Sequence, residues 1–378
     1  MLSRRGHLTP VSVGQILDAQ RRWGSRFGET AVAMGRLSPY AMAEGLAETQ
    51  CLPFVDLVAN PPDPSLSRAG DVAHYLSYRF FPWRRHGENV VVACADPSAE
   101  TRAAAKRLYG PHTRIAVTSP RDVGWSVQRH FSATLSRDAV FALSRREPQL
   151  SARRIMTPVQ VRCAVAAALA SLIGFALAPE ITGLIFVALT SAYYLGTILL
   201  RLALFRAGGW GRAAGRMVSA DELAALDEAE LPVYSIIVPM YREASQASHI
   251  VANLGRLDYP AAKLDIKLVL EEDDAETIAA VKAAKPDGRF EIVEVPVSQP
   301  RTKPKACNYA LAFVRGAFTV IYDAEDRPEP DQLKKAIAAF RTSAPDVACF
   351  QARLNVYNAK ENWLTRGIMA QTPQEMNL

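Results

Sequence analysis

The chain has 378 residues, 49% of them hydrophobic and 22% charged, with a formal net charge of +6. This composition excludes disorder as the main state, and the length suits two or three domains. Residues 1–160 carry 21 Lys and Arg against 13 Asp and Glu, residues 161–220 carry five against one, and residues 221–378 carry 18 against 24. The positive excess belongs to the first half only, so a uniformly basic nucleic-acid binder is excluded and no nucleic-acid partner is expected.

Residues 1–60 read as a helical subdomain, with helices in VSVGQILDAQRRW, ETAVAMG and SPYAMAEGLAETQ; Ser38 followed by Pro39 is an N-cap with proline at the first helical position. Residues 61–135 read as a small α/β subdomain. Its strands are 89–95 and 114–118, and its helices 98–108 and 120–130. The five cysteines, Cys51, Cys94, Cys163, Cys307 and Cys349, stand far apart, which writes no zinc site or disulfide framework and fits a reducing compartment. No apolar leader opens the chain, so the N-terminus is expected to stay in the cytoplasm.

A basic linker, 136–160, precedes two expected transmembrane helices within 161–206. From Cys163 to Leu200 the single charge is Glu180. One helix of that length would run about 57 Å, nearly twice a bilayer core, and Pro179-Glu180 divides it into spans at 163–178 and 181–200. Arginine flanks the pair on both outer sides and is missing from the turn, which places both ends of the hairpin in the cytoplasm, in the inner membrane, against membrane lipids. The other reading is a buried helical hairpin in a soluble core. A second linker covers 207–230.

Residues 231–378 alternate strand and helix. Strands are expected at 234–239, 265–270, 290–297, 318–322 and 347–354, with helices at 244–256, 275–284, 304–314 and 330–342. This pattern implies a doubly wound, mostly parallel sheet, whose ligands bind beyond the C-terminal strand ends. Those ends carry Pro239, Tyr241 and Glu243; Asp273 and Asp274 within a run of four carboxylates; a loop with Lys303, Lys305 and Asn308; and Asp323, Glu325 and Asp326. Carboxylates so crowded repel unless a divalent cation or a bound cationic group intervenes, while lysines suit a diphosphate. Each piece also has a plain structural reading: Asp274 as a helix N-cap, 323–326 as a polar turn, Lys305 and Asn308 as a solvated helix face.

Taken together, SIIVPMYRE, LVLEEDD, KPKACNYAL and IYDAEDRPEPDQL resemble a family 2 glycosyltransferase domain of the membrane polysaccharide-synthase kind that includes cellulose synthase. The resemblance implies a GT-A fold, a UDP-hexose donor and inverting transfer to a growing polysaccharide or lipid-linked acceptor at the cytoplasmic face. Asp273 or Asp274 would then hold the base and ribose. Asp323, Glu325 and Asp326 would bind Mg²⁺ or Mn²⁺, and Pro239, Tyr241, Glu243, Lys303, Lys305 and Asn308 would line the donor. The family's general base and acceptor-side motif do not occur before Leu378, and Trp363 does not match the latter, so the chain reads as the front portion of a longer synthase.

RFGETAVAMGRLSPYAMAEGLAETQ and FFPWRRHGENVVVACADPS resemble the N-terminal domain of type II secretion and type IV pilus assembly ATPases. That resemblance implies cyclic di-GMP contacts at Arg26 and Gly28. Arg36 in place of an apolar residue and Gln50 one place late depart from the motif, and the arginines read equally as a surface facing solvent or anionic lipid. The ATPase itself is excluded, because no Gly-Lys pair occurs and a P-loop needs one. The rival function is a membrane-anchored nucleotide sensor, for cyclic di-GMP or UDP, without transferase activity.

Overall fold

The computed structural model describes residues 8–153, 155–208 and 217–352. Two compact units emerge: Met1–Ala142 with Asp221–Ile337, and Leu143–Ala220 with Ala338–Leu378.

The first unit opens with α1 (Pro10–Trp23), α2 (Phe27–Ala33) and α3 (Pro39–Thr49). Thr9 and Ser38 cap α1 and α3 through their hydroxyls, and Gly24 closes α1 in the left-handed region at φ 63°. There follow α4 (Val72–Ser77), β1 (Phe80–His86), β2 (Asn89–Cys94), α5 (Ala99–Tyr109), β3 (Arg114–Val117) and α6 (Pro120–Arg146), which kinks at Phe131. The sheet order is β1-β2-β3, with β1 antiparallel and β3 parallel to β2. β1 was not expected from the alternation alone, because its run ends in Arg-Arg-His on an exposed edge. Buried Asp122 ties this module together: it accepts hydrogen bonds from Tyr40 Oη (2.8 Å), Ser119 Oγ (2.7 Å) and the Leu57 N–H (2.9 Å).

The second unit contains α7 (Pro158–Leu177) and α8 (Pro179–Gly208). α7 begins five residues before the expected span, because Thr157 and Gln160 form a reciprocal capping box there. The two are long and apolar enough to cross a membrane, with a mean hydropathy of 1.8 and no buried residues in either window. Gly174 lets them close tightly; a Cβ there would fall 2.8 Å from Thr182 Oγ1.

The chain returns to the first unit through α9 (Ala220–Ala224), β4 (Tyr234–Met240), α10 (Ala247–Gly255), β5 (Leu264–Glu271), α11 (Ala275–Ala283), β6 (Phe290–Val295), α12 (Lys303–Leu311), β7 (Phe318–Ile321) and α13 (Gln332–Thr342), which ends across the unit boundary. All four strands are parallel in the order β6-β5-β4-β7. Their near-continuous apolar runs fit a sheet covered on both faces. The order reverses between β4 and β7, the switch point at which such sheets bind ligands. Pro239 lies just beyond the end of the β4–β7 ladder, so its missing N–H removes no bond there. Of the strand expected at 347–354, the described residues 347–352 form no ladder, and 353–354 lie outside the described residues, as does Trp363. Side-chain alternation supplies only half of a strand; the neighbouring edge supplies the rest.

Within the first unit, the N-terminal module packs directly on this sheet. Arg121 donates to the Phe290 carbonyl at 3.2 Å, and Gln128 Oε1 accepts the Glu294 N–H at 3.2 Å, so α6 covers the outer edge of β6. One apolar core runs through both, joining Phe131, Leu135 and Ala139 to Tyr309 and Phe313. Gly288 marks the tightest approach: a Cβ there would fall 2.5 Å from Val32 Cγ1 and 2.6 Å from its carbonyl oxygen. Gly288→Ala is therefore expected to destabilise this docking by about 1–3 kcal/mol, the usual cost of overpacking. Faster proteolysis between the two modules and a lower urea midpoint would show it.

Candidate functional site

β4, β5 and β7 are parallel, so the polar segments following them emerge at one sheet edge. β5 and β7 both flank β4, which puts their tips about 10 Å apart, two strand spacings. Asp274 and Asp323 thus lie at the same edge.

After β5, Asp274 caps α11. Its carboxylate accepts the Thr277 N–H at 3.2 Å and the Arg242 N–H at 2.5 Å. Burial would raise its pKa, but those bonds outweigh it and hold the carboxyl below its ordinary value. One oxygen thereby caps α11 and the other ties it to the segment after β4. Asp273 is the free carboxylate of the pair: it is half-exposed and bonds Arg301 at 2.8 Å, while Arg301 also donates to Tyr241 Oη at 3.3 Å. Arg301 is a site residue that sequence reasoning passed over, although it stands in the same Lys-bearing loop.

After β7, Lys303 at the start of α12 pairs with exposed Asp323. Asp323 and Glu325 project to solvent on either side of buried Ala324. Asp326 does not join them. Its carboxylate turns back to accept the Asp323 N–H at 2.8 Å, and burial raises its pKa despite nearby Lys303. Asp326 thus turns away from the two exposed carboxylates, and among the described residues no three carboxylate, His or Cys side chains converge as metal ligands. Two carboxylates with hard oxygen donors still fit Mg²⁺ or Mn²⁺, which complete their shell with phosphate oxygens and water. Glu243 stands between the two groups. Burial, reinforced by the charge of Glu325, raises its pKa above the ordinary carboxylate range.

Two expected donor contacts fall elsewhere. Lys305 is buried, and its ammonium meets Glu271 at 3.4 Å and the Ser298 carbonyl at 3.4 Å, beneath the site. Asn308 turns to α6 and donates to the Ala139 carbonyl at 2.9 Å. Neither faces the carboxylates, because α12 is packed on one side by the sheet and on the other by the N-terminal module.

With the strand order and these carboxylate–cation pairs in place, comparison with known proteins is decisive. Residues 232–376 match the family model described as glycosyltransferase like family 2. This part of the chain is similar to a glycosyltransferase domain of that family. Its four parallel strands and flanking helices form a sheet of the kind typical of a GT-A fold. Residues 51–137 match the MshEN domain. The β-monoglucosyldiacylglycerol synthase of Trichormus variabilis is 25% identical over 145 residues, which are 38% of this chain and 31% of that protein. The type IV pilus assembly ATPase PilB of Thermus thermophilus is 36% identical over 78 residues, 21% of this chain and 9% of that one. The chain thus spans about a third or less of the length of the curated relatives it matches. Among solved structures, MshE with cdg aligns at 22% identity over 34% of this chain and 94% of that one, with a TM-score of 0.31. The mannosyltransferase PcManGT from Pyrobaculum calidifontis, in complex with GDP-Man and Mn²⁺, aligns at 28% identity over 40% of this chain and 42% of that one, also at 0.31.

Arg26 and Gly28 precede the residues that match the MshEN domain. Arg26 is exposed and pairs with Asp96 at 2.5 Å, and the Met42 side chain covers Gly28. The glycosyltransferase domain contains neither of them.

Proposed function

We propose that the chain carries an inverting glycosyltransferase domain that takes a hexose from a nucleotide-diphosphate sugar and works at the cytoplasmic face of a membrane. The observation that supports this best is the meeting of Asp273–Arg301–Tyr241 with Asp323–Lys303 at one sheet edge. Asp273 and Tyr241 suit the base and ribose, by hydrogen bonding and stacking. Arg301 and Lys303 supply charge for a diphosphate; a phosphate group would draw Lys303 from Asp323. Asp323 and Glu325 would hold Mg²⁺ or Mn²⁺, which when bound supplies Lewis-acid stabilisation of the leaving diphosphate. Glu243, with its raised pKa, is placed to hold a proton beside them.

The acceptor is a polysaccharide or a lipid: relatives include a glucosyldiacylglycerol synthase and a probable glucomannan mannosyltransferase of Arabidopsis thaliana. The two apolar helices support a membrane position, and the arginines on both flanks favour a cytoplasmic transferase domain. The N-terminal module, by its MshEN match, is proposed to bind cyclic di-GMP; Arg26→Ala would then abolish calorimetric binding to residues 1–150. The decisive test is turnover of radiolabelled UDP-hexose or GDP-mannose by the detergent-solubilised chain with Mn²⁺. Transfer to lipid or glucan supports the reading. Nucleotide binding with no transfer favours the sensor, and no binding of either donor at millimolar concentration removes both.

A further inference from the structure

A cavity of about 520 Å³ lies where the N-terminal module meets the opposite end of the transferase sheet. It abuts Leu264 and Asp265 at the start of β5, whereas the donor-side Asp273 follows its end. Eight strand residues rise about 26 Å, so this is a separate place from the candidate donor site. Five cations and three carboxylates line it, an excess of two positive charges.

Most of these charges are already matched. Arg315 bonds Asp265 at 2.8 Å, Lys267 pairs with Asp265 and Glu291, Arg289 pairs with Asp287 at 2.6 Å, and Arg121 donates to the Phe290 carbonyl. Arg79 is different. Its guanidinium makes no hydrogen bond or ion pair among the described residues, yet it lines the cavity. Burial and the nearby charge of Arg315 outweigh the carboxylates of Glu29, Asp265 and Glu291 and push it below the ordinary arginine value. A desolvated guanidinium facing a second cation is costly until an anion meets it. Val32, Met42 and Leu76 give the same cavity apolar wall, and its volume falls within the range of small-molecule pockets.

We propose that this cavity is a second ligand site, for a phosphate monoester of nucleotide size, with Arg79 as the phosphate ligand and Arg121 beside it. A phosphate meets the net positive charge that remains once Asp287 has paired with Arg289, the planar fork of Arg79 suits two phosphate oxygens, and the apolar wall takes the organic body. The occupant would touch α2 and α6 of the N-terminal module and, on the transferase side, the turn after α12, whose first residue is Lys303.

The test is calorimetric titration of the full chain in detergent with AMP and with inorganic pyrophosphate, both in EDTA to silence metal-dependent binding at the donor site. One AMP site is expected, with pyrophosphate weaker for want of the apolar contact. Arg79→Gln is expected to weaken AMP at least tenfold, and Arg79→Lys two- to fivefold. Asp323→Asn should leave it unchanged, which separates this site from the donor site. Should Arg79→Gln fail to fold, Arg121→Gln, at an exposed position, serves instead with a three- to tenfold loss expected. No binding of either probe at millimolar concentration, or equal AMP affinity in wild type and the arginine variants, would overturn the proposal.

Discussion

Asp323→Asn is expected to lower metal-dependent nucleotide binding and any hexose transfer by about 10²–10³-fold, the scale of losing one group that stabilises developing charge. Asp323 is the carboxylate where Lys303 and a bound cation would meet, and it follows β7 at the switch point of the sheet. Asparagine keeps the shape and removes the charge. With only Glu325 left free beside it, a divalent ion loses half of its protein ligands. Stability should hardly move, because an exposed pair contributes about 0–1 kcal/mol. Titration with UDP and Mn²⁺ alongside thermal unfolding separates the two effects. An unchanged affinity would refute the metal assignment, and a large fall in melting temperature would show that the residue is structural.

The second large effect lies at the other end of the sheet. Lys267 is 1% exposed, with Asp265 at 3.1 Å and Glu291 as its other partner. Arg315 and the Ser235 hydroxyl, each at 2.8 Å, complete the shell of Asp265. Lys267→Met is expected to cost about 3–5 kcal/mol, since it strands a buried carboxylate with one cation fewer. Burial alone would raise the pKa of Asp265, but Lys267 and Arg315 outweigh it and pull the carboxyl down to about 2. The folded pKa is thus depressed, and the unfolded chain binds the proton more readily. The resulting stability, about 2–3 kcal/mol, is fully present above pH ~4 and is lost as the pH falls through ~2. Urea midpoints of the solubilised chain at pH 7, 4 and 2.5 should trace this loss, and Asp265→Asn should flatten it. A wild-type midpoint that does not fall between pH 4 and 2.5 would contradict the account.

Legibility in the sequence varied with the kind of information each element needed. The central strands β4 and β5 could be read because β-branched and apolar residues recur on both faces, as a covered parallel strand requires, and β6 and β7 from their β-branched runs between helices. The helix starts at Ser38 and Ser98 could be read because a cap is a local bond. The strand at 347–354 was misread, because pairing depends on an edge elsewhere in the chain. Asp274 admitted two readings, and with its bonds to Thr277 and Arg242 it is buried while Asp273 is exposed. The carboxylates at 323–326 could be seen as a group. That Asp326 folds back onto the Asp323 N–H is a matter of turn geometry, which residue types do not encode.

By itself, then, the sequence determined the periodic features: the two apolar helices, the alternation of strand and helix, and the chemistry standing at each strand end. These follow from local propensity and from side-chain spacing along one segment. Only the tertiary structure decided where α12 points. Pressed between the sheet and α6, it buries Lys305 and hands Asn308 to Ala139, leaving Lys303 alone at the carboxylates. The partner face came from a module more than 160 residues earlier, and no spacing rule within 303–311 contains that contact.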